Sequence, residues 1–385
     1  MNSPPGSRLD RPEVRTDTPA LCVGTVSRNT IDAAIDVAYR TKRPLMLIAS
    51  RRQADRDPFR GYVEQWSTRE LAQYVRSRDP ERRVVLCRDH GGPWQRPEEI
   101  RGGLGLEQAL ESAASSLRED IDCGFSLLHL DTSVDPRGGV PPPVASARLV
   151  ELYERTATYA AASDHDVAFE IGFEDQRPAI AAPKAFARSL AHVLLEIERR
   201  GLPRPTYVVA QTGTKVVGTR NIGHITSEGT AQATRSRLAE LVQVCVDAGV
   251  SLKAHNCDYL GFREWALLGQ AGPGGANVAP EYGVVETKTW LTLLGRCGLR
   301  EERARFVAAV DRSGRWRKWT MGLERTTPVE RALIAGHYVF SERWFADIRS
   351  AAARRLGVDE DELDALLRQP VANLIERHVD WLAVA

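Results

Sequence analysis

The feature that most constrains the fold of this chain is a series of eight short apolar segments, each separated from the next by a longer stretch. These segments are Leu21–Ser27, Pro44–Ser50, Arg83–Asp89, Phe125–Asp131, Asp166–Gly172, Thr206–Thr212, Val250–Asn256 and Gly275–Glu281. Several of the stretches between them have the pattern of amphipathic helices, and strands that are apolar on both faces are typical of a parallel sheet covered by helices. Eight such units within about 260 residues predict an α/β fold, the (β/α)8 TIM barrel. An open doubly wound sheet is the alternative, but no GxGxxG motif follows an early segment.

The pattern changes towards both ends of the chain. From about Thr289 it is helical and rich in Arg, Trp and Leu, so we expect the barrel to occupy residues 19–290 and a helical C-terminal extension to occupy residues 291–385. This extension either packs on the barrel or serves as an oligomerisation or edge-sealing element. Residues 1–18 contain no apolar run and are expected to form a disordered leader.

Composition excludes several classes of protein. Lys and Arg total 52 against 51 Asp and Glu, a net charge of +1, which lacks the basic excess of a nucleic-acid binder. No stretch of about 18 apolar residues is present, so we expect no membrane span. The six cysteines form no CxxC pair, which is typical of reduced thiols and favours a cytoplasmic protein.

Polar residues that suit catalysis or metal binding stand at or just beyond most of the predicted strand ends. They are Asp89 and His90, His129 and Asp131, Glu170 and Glu174, Lys215, Asn221 and His224, Lys253, His255 and Asp258, and Asn277. In a (β/α)8 barrel these positions meet at one rim, where active sites lie. Imidazoles combined with carboxylates suit Zn²⁺ or a similar divalent ion, which would polarise a carbonyl group. We interpret His129 as structural, and as a reserve ligand because strand alternation places it on the same face as Asp131.

Several of these segments also carry a resemblance to a known family. They are the Asp-His-Gly-Gly-Pro run from Asp89, LLHLDTS around Asp131, EIGFED with Glu174, AHNCDY with His255 and Asp258, NVAPEYG from Asn277, and GHYVF in the Trp-rich tail. In this order they resemble the GatZ/KbaZ family of tagatose-1,6-bisphosphate aldolase subunits, which is related to the metal-dependent class II aldolases. The chain is also similar to ketose 4-epimerases of the tagaturonate and tagatose-phosphate type.

The resemblance implies a set of roles for the residues at the rim. It implies His90 and His255 as metal ligands, with Asp89 as the acid–base group beside the metal. Asp131 and Glu174 are implied as further catalytic groups around the substrate. Class II aldolases place another metal-binding histidine soon after strand six, where the nearest histidine here is His224. Either His224 or Glu174 would complete the ligand set, and the expected metal is Zn²⁺, with Mn²⁺ as the alternative.

The remaining polar residues of the rim are predicted to bind the substrate. They are Lys215, Asn221, Lys253, Asp258 and Asn277. Lys253 lies two residues before His255, so strand alternation places both side chains on the same face. We expect the two lysines to attract a phosphate or carboxylate of the substrate. The alternative is that one of them is a Schiff-base lysine, whose amine would need desolvation to react at neutral pH.

Together these features predict a metal-dependent aldolase or retro-aldol 4-epimerase that acts on a ketose, a ketose phosphate or a uronate derivative. Two other functions stay open. The chain could be a non-catalytic subunit that stabilises a separate tagatose-bisphosphate aldolase chain, or a lysine-based aldolase that uses no metal. We also expect the chain to form a homo-oligomer.

Overall fold

The structure is a computed structural model that describes residues 19–163, 165–172, 179–227, 231–321, 323 and 325–383. The predicted leader, residues 1–18, and Glu174 lie outside these described residues. None of the helices within the described ranges is long and apolar enough to cross a membrane.

Eight parallel strands close into a barrel, as the sequence predicted. The strands are β1 (Ala20–Gly24), β2 (Leu45–Ser50), β3 (Val84–Asp89), β4 (Leu127–Asp131), β5 (Ala168–Gly172), β6 (Tyr207–Ala210), β7 (Ser251–Ala254) and β8 (Gly275–Val278). Each strand overlaps one predicted apolar segment and pairs with the next, and β8 closes the barrel by pairing with β1. The loop between β6 and α7 carries a short antiparallel hairpin, Val216–Val217 with Arg220–Asn221.

Thirteen α-helices lie within the described part of the chain. They are α1 (Arg28–Thr41), α2 (Thr68–Arg78), α3 (Pro97–Arg101), α4 (Leu106–Asp122), α5 (Pro142–Ala162), α6 (Pro183–Arg199), α7 (Ala231–Asp247), α8 (Phe262–Ala271), α9 (Pro280–Arg296), α10 (Arg300–Ser313), α11 (Pro328–Ala335), α12 (Arg343–Leu356) and α13 (Glu360–Ala383). Local sequence sets several helix ends. Ser27, for example, begins α1 by accepting a hydrogen bond from the backbone N–H of Thr30, and Lys42 ends it in the left-handed conformation.

The interior of the barrel is apolar at one end and polar at the other. Seven buried side chains on five strands form a cluster that is separate from the larger core beneath the helices: Cys22, Met46, Ile48, Val85, Cys87, Leu127 and Tyr207. Because side chains alternate along a strand, the next inward positions towards the carboxyl ends carry Asp89, His129 and Glu170. The apolar cluster therefore fills the barrel beneath a polar layer.

The C-terminal helices build a second hydrophobic core. It contains Trp290 of α9, Phe306 of α10 and Phe345 of α12, all buried. Helix α9 continues to Arg296, so the predicted boundary at residue 290 lies inside a helix. Helix α13 returns to pack against α1, α8 and α9, so the extension packs on helices that surround the barrel.

Candidate metal centre and active-site rim

The loop after β3 brings Asp89 and His90 against the end of β4. His90 has a positive φ of 47°, and the backbone N–H of Gly91 donates a 2.8 Å hydrogen bond to the carbonyl oxygen of His129. A Cβ atom at Gly92 would lie 1.5 Å from the carbonyl oxygen of Asp131, so only glycine fits there. The Asp-His-Gly-Gly sequence is therefore a sharp turn that directs the His90 ring into the mouth of the barrel.

Asp131 holds His90 in one orientation. Its Oδ2 lies 2.6 Å from His90 Nδ1 and accepts a 2.8 Å hydrogen bond from Gln95 Nε2. Its Oδ1 accepts a hydrogen bond from the backbone N–H of Ser133 at 2.9 Å. Both oxygens are thus engaged, and the second ring nitrogen of His90 faces the centre of the site, 3.7 Å from Asp89 Oδ2.

Three imidazole rings meet at this point. The ring centroids of His90, His129 and His255 are 5.4, 5.5 and 5.1 Å apart in pairs. With Asp89 or Glu170 they form two groups that could each hold a metal ion, namely Asp89–His90–His255 and His129–Glu170–His255, with donor atoms within 4.8 Å of one another in each group. His255 belongs to both groups. These side chains lie on or just beyond β3, β4, β5 and β7.

Glu170 links the histidines to a buried cation. Its Oε1 lies 3.0 Å from His255 Nε2, and its Oε2 accepts a hydrogen bond from Lys253 Nζ at 2.6 Å. Asn277 Nδ2 also lies 3.0 Å from His255 Nε2, and the Oδ1 atom of Asn277 has no hydrogen-bond partner among the described residues. Lys253 and Glu170 are each 1% exposed, so their charges compensate one another away from water.

The charges around the centre favour a positive charge at its middle. Burial alone would raise the pKa of Asp89, but His90, His129 and His255 hold it well below its usual range. Burial would also raise the pKa of Glu170, but nearby positive charges, Lys253 above all, lower it to about 2. Burial would lower the pKa of His90, which Asp89 and Asp131 instead raise to about 9. The potential that attracts a proton to His90 also attracts a metal cation.

Two of the predicted substrate-binding residues mainly organise the loops. Asn221 Nδ2 donates hydrogen bonds to the carbonyl oxygens of Asn256 and Asp258, at 2.8 and 3.0 Å, and so ties the loop after β6 to the loop after β7. Asp258 Oδ1 accepts from the backbone N–H groups of Ala279 and Glu281 at the start of α9. Its side chain is buried, which raises its pKa to about 7.

The other predicted site residues differ in where they lie relative to the centre. Lys253 and Asn277 lie beside His255, as described above, whereas Lys215 is half-buried in the loop after β6 and donates its backbone N–H to Asn221 Oδ1. His224 is exposed in a short 3-10 helix (His224–Thr226) and belongs to neither metal-compatible group. Glu174 is outside the described residues.

The structure places in the centre two rim residues to which the sequence assigned no main role: Glu170 was named without a role and His129 only as a reserve ligand. Glu170, rather than a residue of the following loop, faces the histidines, and His129 lies beside it in register on β4. Strand alternation was the available signal, because it puts Glu170 and His129 on inward positions of adjacent strands. Gln95 carried no such signal, since its contact with Asp131 depends on the path of the loop after β3.

Comparison with known proteins supports the fold. No family model and no curated protein matches the chain. Among solved structures, a probable tagatose 6-phosphate kinase from Sinorhizobium meliloti 1021 is similar over 95% of this chain and 100% of its own, with a TM-score of 0.70 and 18% identity. The fructuronate–tagaturonate epimerase UxaE from Cohnella laeviribosi is similar over 97% of this chain and 83% of its own, with a TM-score of 0.56 and 14% identity. The chain is thus a (β/α)8-barrel protein with a histidine–carboxylate centre at its strand ends.

Proposed function

We propose that this protein is a divalent-metal-dependent lyase or isomerase that breaks and forms the carbon–carbon bond between the α and β carbons of a ketose or ketose derivative. The observation that carries the proposal is the group of three histidines and two carboxylates on or just beyond β3, β4, β5 and β7. The likeness of the barrel to that of a fructuronate–tagaturonate epimerase supports a sugar-derived substrate. If the cleaved aldehyde leaves, the enzyme is an aldolase; if it is retained and re-added to its other face, the enzyme is a 4-epimerase.

The residues present fit a divalent cation. Imidazole nitrogens and carboxylate oxygens are the donor set that Zn²⁺ prefers, and Mn²⁺ also accepts it. The ring nitrogen of His90 that faces away from the centre contacts the carboxylate of Asp131. This arrangement orients metal-binding histidines. His90 and His255 would hold the ion, and His129, Asp89 and Glu170 supply the other candidate donors. A bound ion would polarise the ketone and increase the acidity of a hydroxyl group beside it.

Asp89 is the group best placed to move the proton. It is the last residue of β3, it is partly open to the mouth of the barrel, and it is ionised at neutral pH. Its lowered pKa makes it a weak base, so the hydroxyl would have to be acidified by the bound ion before Asp89 takes its proton. Within the proposed function, Asp89 accepts the proton of the substrate hydroxyl as the carbon–carbon bond opens, and returns it when the bond re-forms. Asp131 is a positioning residue, since both of its oxygens are engaged with its neighbours.

The surroundings of Lys253 favour this mechanism over a Schiff-base lysine. Burial would lower its pKa, but nearby Cys22 and Glu170 raise it above its ordinary value, and Glu170 accepts a hydrogen bond from its Nζ atom. A protonated amine is not a nucleophile. We therefore assign Lys253 the role of holding Glu170 in place with a compensating charge.

Metal analysis of the purified protein tests the proposal. Protein purified without a chelator is expected to contain about one equivalent of Zn²⁺ or Mn²⁺ by plasma mass spectrometry. His90→Ala and His255→Ala should lose this metal together with cleavage or epimerisation of ketoses, followed by NMR. His192→Ala is the matched control, because His192 is exposed on α6, and it should retain both. Wild-type protein that takes up no metal, or a His255→Ala variant that keeps it, would contradict the proposal.

A further inference from the structure

A cavity lies between the barrel and the C-terminal extension. Its volume is about 820 Å³. On the barrel side it is lined by the loop after β2 and by α3, and on the other side by the segment that follows α10. Eight basic residues line it. Arg51 and Arg96 are buried and each pairs with Asp55 and Glu99. The other six are Arg52, Arg60, Arg101, Arg315, Arg317 and Lys318. We call it the basic cavity.

Four of these cations have no acidic partner in the described part of the chain. Arg60 pairs with Asp57 and Glu70, and Arg101 pairs with Glu98. No ion pair joins any described residue to the other four, which are Arg52, Arg315, Arg317 and Lys318. The described wall of the cavity contains two acidic residues, Glu98 and Glu342. The basic cavity therefore carries an excess of positive charge from both the barrel and the extension.

Contacts with neighbouring groups hold three of these cations in place. Arg52 Nε donates a 2.8 Å hydrogen bond to the carbonyl oxygen of Gln95. Arg315 donates to the carbonyl oxygen of Tyr338, and Lys318 Nζ lies 4.3 Å from the ring centroid of Trp319. Side chains that are already positioned lose less conformational entropy when an anion binds.

The basic cavity is connected to the histidine centre through one residue. Gln95 accepts from Arg52 through its backbone oxygen and donates through its side chain to Asp131, which holds His90. Positive potential also extends into the protein. Burial lowers the pKa of His337 to about 3, and the charges of Lys318 and Arg315 add to that effect.

We propose that the basic cavity binds the phosphate groups of an organic phosphate. A volume of about 820 Å³ lies within the range of small-molecule sites, so the cavity accepts more than a single inorganic ion. Guanidinium groups match phosphate oxygens with paired N–H donors, and four uncompensated cations suit a dianion or polyanion better than a single carboxylate. The ligand would contact both the barrel and the extension.

Titration with inorganic pyrophosphate tests the site. By isothermal calorimetry at low ionic strength, wild-type protein should bind pyrophosphate, and the double variant Arg317→Gln/Lys318→Gln should bind it at least about tenfold more weakly. Arg52→Gln, on the opposite wall, should also weaken binding. Arg354→Gln removes an exposed arginine of α12 outside the cavity and should bind as the wild type does. Circular dichroism confirms that each variant is folded.

Two results would overturn the proposal. One is the absence of pyrophosphate binding to the wild-type protein. The other is equal affinity in the wild type and in Arg317→Gln/Lys318→Gln, because binding at the histidine centre or at a dispersed surface would not depend on these two side chains.

A competition experiment identifies the source of the phosphate. If the cavity holds the phosphate of the sugar substrate, a hexulose 6-phosphate should compete with pyrophosphate, and Arg317→Gln/Lys318→Gln should weaken its binding but not that of the unphosphorylated hexulose. If the phosphate belongs to a separate ligand, the hexulose phosphate should bind equally well with and without saturating pyrophosphate, or should not bind at all. The first outcome rests on the proposed function, whereas the pyrophosphate titration does not.

Discussion

At the scale of single residues, the histidine centre depends on side chains that do not themselves face the substrate. Asp131 has both oxygens engaged, and its contact with His90 Nδ1 fixes which ring nitrogen points inward. Carboxylates in this position raise the basicity of the histidine and hold its ring in place. The strength of metal binding should therefore depend on Asp131, although both of its oxygens are engaged with neighbouring groups.

Asp131→Asn tests this positioning role. The substitution keeps the size of the side chain but removes the charge opposite His90, and we expect metal affinity to fall about 10- to 100-fold while the melting temperature changes little. Metal affinity is measured by competition with a chromogenic chelator. Asp247→Asn, an exposed change at the end of α7, should leave the affinity unchanged. An unaltered affinity in Asp131→Asn would exclude the role.

Some residues of the histidine centre could be identified from the sequence and others could not. His90, His255 and Asp89 could be named from the sequence because each stands at a strand end, and the structure brings all three together. His129 and Glu170 could be placed at the rim by strand alternation, but their contact with each other depends on the register in which β4 and β5 pair. The contacts of Gln95 and Asn221 depend on the paths of long loops, which no local sequence pattern predicts.

At the scale of elements, the strands were predictable because their burial imposes apolar sequences. The end of β3 departs from this apolar pattern. It carries Arg88 and Asp89, two charged residues whose side chains face opposite ways. Asp89 faces the site, whereas Arg88 is fully buried and pairs with Asp120 of α4 at 2.5 and 2.7 Å. Arg88 also donates to the carbonyl oxygens of Ala49 and Ala54, both at 2.8 Å, and so fixes the chain after β2.

Removing Arg88 should therefore destabilise the barrel strongly. Arg88→Met leaves the Asp120 carboxylate buried without its cation, and we expect the free energy of unfolding to fall by about 3–5 kcal/mol in urea titrations. Adding Asp120→Leu should recover part of this loss, because it removes the unpaired charge. Recovery should stay incomplete, since the two carbonyl oxygens still lack a donor. A loss below about 1 kcal/mol in the single variant would contradict this account.

At the scale of the whole molecule, α9 and α13 join the extension to the start of the barrel through buried acidic residues. Glu286 of α9 accepts hydrogen bonds from Ser27 and, at 2.8 Å, from Asn29. Asn29 also donates to Asp364 of α13. The start of α1, α9 and α13 thus share one polar cluster.

This cluster should make stability depend on pH. Burial raises the pKa of Glu286 to about 7, above the value of about 4.3 for an unfolded chain. Between these values the folded state binds more protons than the unfolded state, so stability is highest below the unfolded pKa and falls as the pH rises towards 7. The contribution of Glu286 to that fall is on the order of 3 kcal/mol.

Comparison of wild-type protein with Glu286→Gln isolates this contribution, because other titrating groups are common to both. The free energy of unfolding of the wild type should fall more steeply between pH 5 and 8 than that of the variant, with the two curves separating by on the order of 2 to 3 kcal/mol in urea titrations. Glu376→Gln is the matched control: its exposed pair with Arg40 also joins α13 to α1, and its loss should cost less than about 1 kcal/mol at either pH. Parallel curves for wild type and Glu286→Gln would show that the pKa of Glu286 is not raised in the folded protein and would contradict this account.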